Sequence, residues 1–139
     1  MKIFLYHYKS ECLTEHSDNA DKGHERDVQL VICFGSKNIL AGSRHLFRIL
    51  KEKFPVADIV SCSTAGEIFG TEVYDESVSV TAIQFGSTRV ATHDVCIADF
   101  GNSFDAGVGL SDLFDKDGLA YLMVLSDGSK VNGSELVRG

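Results

Sequence analysis

The chain has 139 residues, 44% of them apolar and 24% charged, with one proline and no tryptophan. That apolar share supports a core of single-domain size and excludes general disorder, and no apolar run approaches the ~20 residues of a spanning helix. Thirteen basic against twenty acidic residues leave a net charge of −7, so nucleic acid and anionic membranes are poor partners and membrane insertion is not expected.

Residues 2–8 read as a first strand, because the start lacks the long apolar segment and small-residue cleavage site of a signal peptide. Residues 9–27 are almost entirely polar and long for a loop, with at most a weak surface helix over 18–26. Residues 28–34 (VQLVICF) form a dense β-branched and apolar run, the mark of a strand buried on both faces in a parallel sheet. Gly35-Ser36-Lys37-Asn38 then turns the chain, and Ser36 or Asn38 can cap the helix that follows. Apolar positions 39, 40, 46, 47, 50 and 54 keep to one helical face until Pro55 stops it. Arg44, Arg48, Lys51 and Lys53 share helical spacing and approach the C-terminal end, where the helix dipole favours cations. His45 reads as a surface residue of this helix. A second buried strand over 58–62 completes a β-α-β unit with parallel strands.

Residues 77–82 alternate polar and apolar, as a half-buried strand does, with a slip of phase at Ala82-Ile83 that a bulge or an emerging second buried face would allow. Gly86-Ser87 matches a two-residue hairpin loop that would return the chain along 88–98. Asn102 or Ser103 can cap a helix running to Phe114, weakened by Gly107 and Gly109. Residues 119–125 (LAYLMVL) read as the last buried strand, and a further helix begins near Asn132. The expected class is α/β: a mixed sheet with parallel β-α-β units plus an antiparallel hairpin, and helices packed on the sheet. Residues 1–139 read as a single α/β domain, the front part of a longer one, since the sequence stops about one turn into its last helix.

In an open α/β sheet, ligands bind beyond the carboxyl ends of the strands. Three small-residue segments qualify: 35–38, 62–68 and 126–133. The middle one, Cys62-Ser63-Thr64-Ala65-Gly66-Glu67-Ile68, is the most informative. Its small residues admit close backbone approach, Ser63 and Thr64 offer hydroxyls, and Glu67 can hold an ammonium group. The bland alternative is a strand-to-turn connection with Ser63 or Thr64 as a local cap. A nucleophile at Cys62 or Ser63 lacks the G-x-S-x-G elbow, and His7 and His93 are bases that sequence does not bring close. Neither G-x-x-x-x-G-K-[ST] nor G-x-G-x-x-G occurs, so nucleotide binding is weakly supported and no cofactor is implied. His16, Asp18, Asp21 and His24 crowd one acidic loop without the spacing of a metal cage, so no metal is expected. The four cysteines never reach C-x-x-C spacing, which fits a reduced, cytoplasmic setting.

Residues 60–68 (VSCSTAGEI), together with Leu125-Ser126-Asp127-Gly128 and the NGSELVRG run from Asn132, resemble the FIST family of sensory domains in signal-transduction proteins. Phe34-Gly35-Ser36 and the alternating Ser77-Val78-Ser79-Val80 occur in matching order, so the similarity runs over nearly the whole chain from residue 28. The C-S-T-A-G-E turn is its most specific part. The resemblance implies a non-enzymatic cytoplasmic module that binds a small molecule, with amino acids or their derivatives as the ligand class. It would pass the signal to a downstream domain or protein. Ser63, Thr64, Ala65, Gly66 and Glu67 carry over onto the first motif, and Ser126, Asp127 and Asn132 onto the later one. Their contact with ligand is an inference from strand-end geometry. Two other readings stand beside it: a hydrolase or transferase using Cys62 or Ser63, and a protein-interaction module that forms homo-oligomers through its sheet edge.

Overall fold

Alternation of apolar side chains organises the front of the chain. In a computed structural model, residues 1–16, 25–42 and 44–139 are described, and they divide into two compact units, Met1–Val90 and Ala91–Gly139. The first unit is built on a five-stranded sheet made of β1 (Lys2–Lys9), β2 (Cys12–Glu15), β3 (Leu30–Ser36), β4 (Asp58–Thr64) and β7 (Val78–Gln84), in the order β2-β1-β7-β3-β4. Strands β3 and β4 run parallel, whereas β7 lies antiparallel to both β1 and β3. A separate two-stranded hairpin, β5 (Glu67–Phe69) with β6 (Glu72–Tyr74), follows β4.

Cross-strand register puts Phe4, Tyr6 and Tyr8 of β1 beside Ala82, Val80 and Val78 of β7, which in turn face Val31, Cys33 and Gly35 of β3. This face is the core. It is covered by α1 (Lys37–Gly42) and α2 (Arg44–Lys53), whose Leu46 and Leu50 are buried, with Ile39, Leu40 and Ile49 packed alongside. Phe54 is fully buried just before Pro55 and meets the Tyr6 ring edge to face at 5.6 Å, an arrangement the ring quadrupoles favour. Burial among these side chains pushes the Cys33 thiol up to about 12, so it behaves as a small hydrophobe.

Several expectations are met and several are corrected. The β-α-β unit is present with parallel strands, and the sheet is mixed. Yet β3 alternates instead of burying both faces, and Phe34 is 38% exposed, because the helices cover one side of the sheet. Asn38 lies inside α1, not ahead of it, and Phe47 points outward at 54% exposure. Pairing of β7 with β1 continues without a bulge through Ile3↔Ile83 and Lys2↔Gln84. No strand forms over residues 88–98. The reason is positional: both edges of β7 are already hydrogen-bonded, to β1 and β3, so no edge is left for a returning strand. The polar segment contributes β2 through a tight turn at Ser10-Glu11, where both residues take left-handed φ values of 51° and 61°, as two-residue hairpin loops require. The helix expected over 18–26 falls largely on residues 17–24, outside the described residues, as do Asp18, Asp21 and His24 of the acidic loop. Among the described residues no group of His, Cys, Asp and Glu is arranged to hold a metal ion, and no helix is long and apolar enough to cross a membrane.

The basic side chains of α2 do more than face water. Lys51 Nζ donates to the carbonyl of Ala57 at 2.7 Å, and Lys53 Nζ reaches Glu25 Oε1 at 2.6 Å while lying 5.0 Å from the Tyr6 ring centroid. His45 Nδ1 shares a hydrogen bond with the Tyr8 hydroxyl at 3.1 Å.

The second unit contains α3 (Ser103–Ser111) and α4 (Gly133–Arg138). Asn102 caps α3, its Oδ1 accepting from Asp105 N at 2.9 Å, and Asn132 caps α4, accepting from Ser134 N at 3.1 Å. Gly107 lets the helices close up, since a Cβ there would collide with the Leu136 backbone. Residues 119–125 form no strand, and most of their apolar side chains are exposed. A strand needs a ladder partner as well as an apolar run, and none of the described residues pairs with this segment.

Candidate functional site

The carboxyl ends of β3 and β4 sit side by side because the two strands are parallel, with Ser36 opposite Thr64. Above them lies an open cleft of about 260 Å³, lined by Ser36, Lys37, Asn38, Thr64, Ala65, Gly66, Glu67, Asp75 and Glu76. Two of the three segments expected from strand-end geometry therefore meet in one place.

The floor is set by Gly35. A Cβ there would stand 2.6 Å from Val78 Cγ2 and 2.7 Å from the Ser77 carbonyl oxygen, so only glycine lets β3 approach the start of β7 this closely. The Ser36 amide then donates to that Ser77 oxygen at 3.0 Å. Chain direction at the ends of both strands is thereby held.

Glu67 is 3% exposed, and both of its carboxylate oxygens are engaged. Thr64 Oγ1 donates to Oε1 at 2.9 Å, and the fully buried Ser77 hydroxyl donates to Oε2 at 3.1 Å. Two hydroxyl donors satisfy a carboxylate that would otherwise be costly to bury. Each oxygen keeps a lone pair for a further donor. On the far wall Glu76 adopts a left-handed backbone (φ 55°), and its Oε1 accepts from Asn38 Nδ2 at 3.4 Å. Strained non-glycine residues of this kind collect at ligand sites. Among the described residues the cleft thus carries one cation, Lys37, against three carboxylates, Glu67, Asp75 and Glu76.

Of the residues expected from sequence, Thr64, Ala65, Gly66 and Glu67 line the cleft, whereas Ser63 is exposed on β4 and does not. Ser126, Asp127 and Asn132 belong to the second unit. There Asp127 Oδ1 accepts from the amide and hydroxyl of Ser129 at 3.0 and 2.6 Å, which holds its carboxyl below the usual range, and Asn132 serves as the α4 cap. Cys62 Sγ donates to the adjacent Ser63 carbonyl at 3.6 Å, a contact between neighbouring residues of β4. Asp75 and Glu76 were missed by motif reading. Their only signal in the sequence is a pair of adjacent acids between two apolar stretches, which looks like any solvated turn.

A protein-family model described as the FIST N domain matches residues 29–139. No curated protein and no solved structure matches the chain. The matched span takes in β3, β4 and every cleft residue, and the chain belongs to the FIST N domain family, a sensory domain of signal transduction.

Proposed function

We propose that the chain is a non-catalytic ligand-recognition module and that the cleft above β3 and β4 takes a small zwitterion of the amino-acid class. The observation that carries this reading is the division of charge within one cleft of about 260 Å³, with Lys37 against Glu67, Asp75 and Glu76. A volume just below the usual range for drug-sized ligands suits a small metabolite. The ligand carboxylate would meet Lys37 and the backbone N–H groups around Thr64–Gly66. Its ammonium would meet the free lone pairs of Glu67 and the carboxylates of Asp75 and Glu76.

Signalling follows from differential affinity. A ligand that draws the β3 and β4 end turns and the 75–76 segment together favours one arrangement of them, and a downstream domain or protein reads that arrangement. The free cysteines among the described residues suit a reducing, cytoplasmic location.

A thermal-shift panel of amino acids and related metabolites at millimolar concentration tests the proposal. A ligand present at 100 times its Kd adds about 2.7 kcal/mol of stability. Lys37→Met should abolish the response of any hit while leaving the unliganded melt in place. Cooperative melting with a flat panel, or a hit unaffected by Lys37→Met and Asp75→Asn together, would remove this cleft as the site.

A further inference from the structure

Among the described residues three polar side chains are buried, His7, Glu67 and Ser77. Glu67 and Ser77 satisfy one another, but His7 Nε2 is buried with no hydrogen-bond partner among the described residues. His7 lies on the face of β1 opposite the helices, and its ring is where the β5–β6 hairpin rests. Phe69 of β5 stacks on it almost in parallel, at 4.8 Å and 10°, and Tyr74 of β6 leans on it at 4.5 Å. The hairpin's own ladder is three residue pairs long, too short to persist in water without such docking.

We infer that His7 is a proton-operated latch: its neutral ring holds the β5–β6 hairpin, and with it Glu67, against the sheet, and protonation of that ring releases the hairpin. The inference concerns the docking of the hairpin and stands whether or not the cleft takes an amino acid.

The groups around the ring favour its neutral form. Burial opposes the charge most strongly, then His16, whose ring lies 6.5 Å away, then Lys9, whose Nζ sits 5.1 Å from the Tyr74 centroid; Glu67 pulls the other way, and the balance holds His7 below the ordinary histidine value of 6.5. The remaining charged neighbour on β6, Glu72, accepts the Tyr74 hydroxyl at 2.5 Å. A proton on Nε2 would add a donor where none of the described residues offers an acceptor. Cation–π attraction to Phe69 and Tyr74 would offset part of that cost. Since the docked ring binds a proton less readily than the released one, docking is at full strength above pH about 6.5 and weakens as the pH falls below it.

Amide hydrogen exchange and histidine ring resonances of the full chain, recorded by NMR between pH 7.5 and 5, test the latch. After correction for intrinsic exchange, the open-to-closed ratio of β5–β6 should rise by up to tenfold per pH unit from about 6.5 down to the lower pH at which docked His7 itself titrates, and level off there, while β3 stays protected. His7→Phe keeps an aromatic ring without the proton and should make the ratio independent of pH. His7→Gln gives the same flat profile if the phenylalanine variant does not fold. His16→Gln should keep the response and move its midpoint upward. Unchanged hairpin protection while His7 titrates would overturn the inference. So would an equal acid response in His7→Phe, or loss of the response in His16→Gln.

Discussion

Residues 28–34 and 119–125 are similarly rich in large apolar side chains, yet they end in opposite circumstances. In the first unit Val28, Val31 and Cys33 are buried in a core that also takes in β1, β7 and α2. In the second unit Leu119, Tyr121, Leu122, Met123 and Val124 are all exposed, and the buried apolar side chain of that unit is Ala106. An apolar run supplies the capacity for burial. A ladder partner and a facing layer turn that capacity into stability. The second unit gains order by other means, through capped helices and a glycine that admits close helix packing.

The comparison can be broken by substitution. Phe54→Ala removes a fully buried ring and should cost the first unit about 3–5 kcal/mol in chemical denaturation followed by circular dichroism. Gly35→Ala comes next, at about 1–3 kcal/mol, since the new methyl must displace the β7 backbone; it should also weaken any ligand response, because the cleft floor shifts. Asn102→Ala removes the α3 cap and should cost about 1 kcal/mol, felt by the amides of the second unit and not by β3. Leu122→Ser should fall within about 0.5 kcal/mol of the parent, as substitutions at exposed sites do. Were Leu122→Ser to cost as much as Phe54→Ala, the segment would be buried in solution and the contrast between the two runs would fall.

Much of the fold can be read before any coordinates. The β-branched runs at β3 and β4, the period-3.6 pattern stopped by Pro55, and the alternation of β7 are local signals, and each element stands near where the residues place it. The C-S-T-A-G-E turn does lie at a strand end beside the turn after β3, because parallel pairing makes those ends neighbours. Strands β2, β5 and β6 are three or four residues long, below the length at which periodicity can be told from chance. The hydroxyl partners of Glu67 were equally hidden: Thr64 is close in sequence, but Ser77 lies ten residues on, across the whole hairpin.

By itself, then, the sequence determined the period of each long element, the turns that end them, the acidic balance and the family. The tertiary structure decided which apolar runs are covered, that β7 enters the middle of the sheet and so leaves 88–98 without a partner, and that Lys37, Glu67, Asp75 and Glu76 share one cleft. The physical reason is range. Dihedral preference and side-chain period are properties of a few consecutive residues, whereas hydrogen-bond ladders, burial and charge juxtaposition depend on residues far apart in the chain, and these are chosen only when all the elements pack at once.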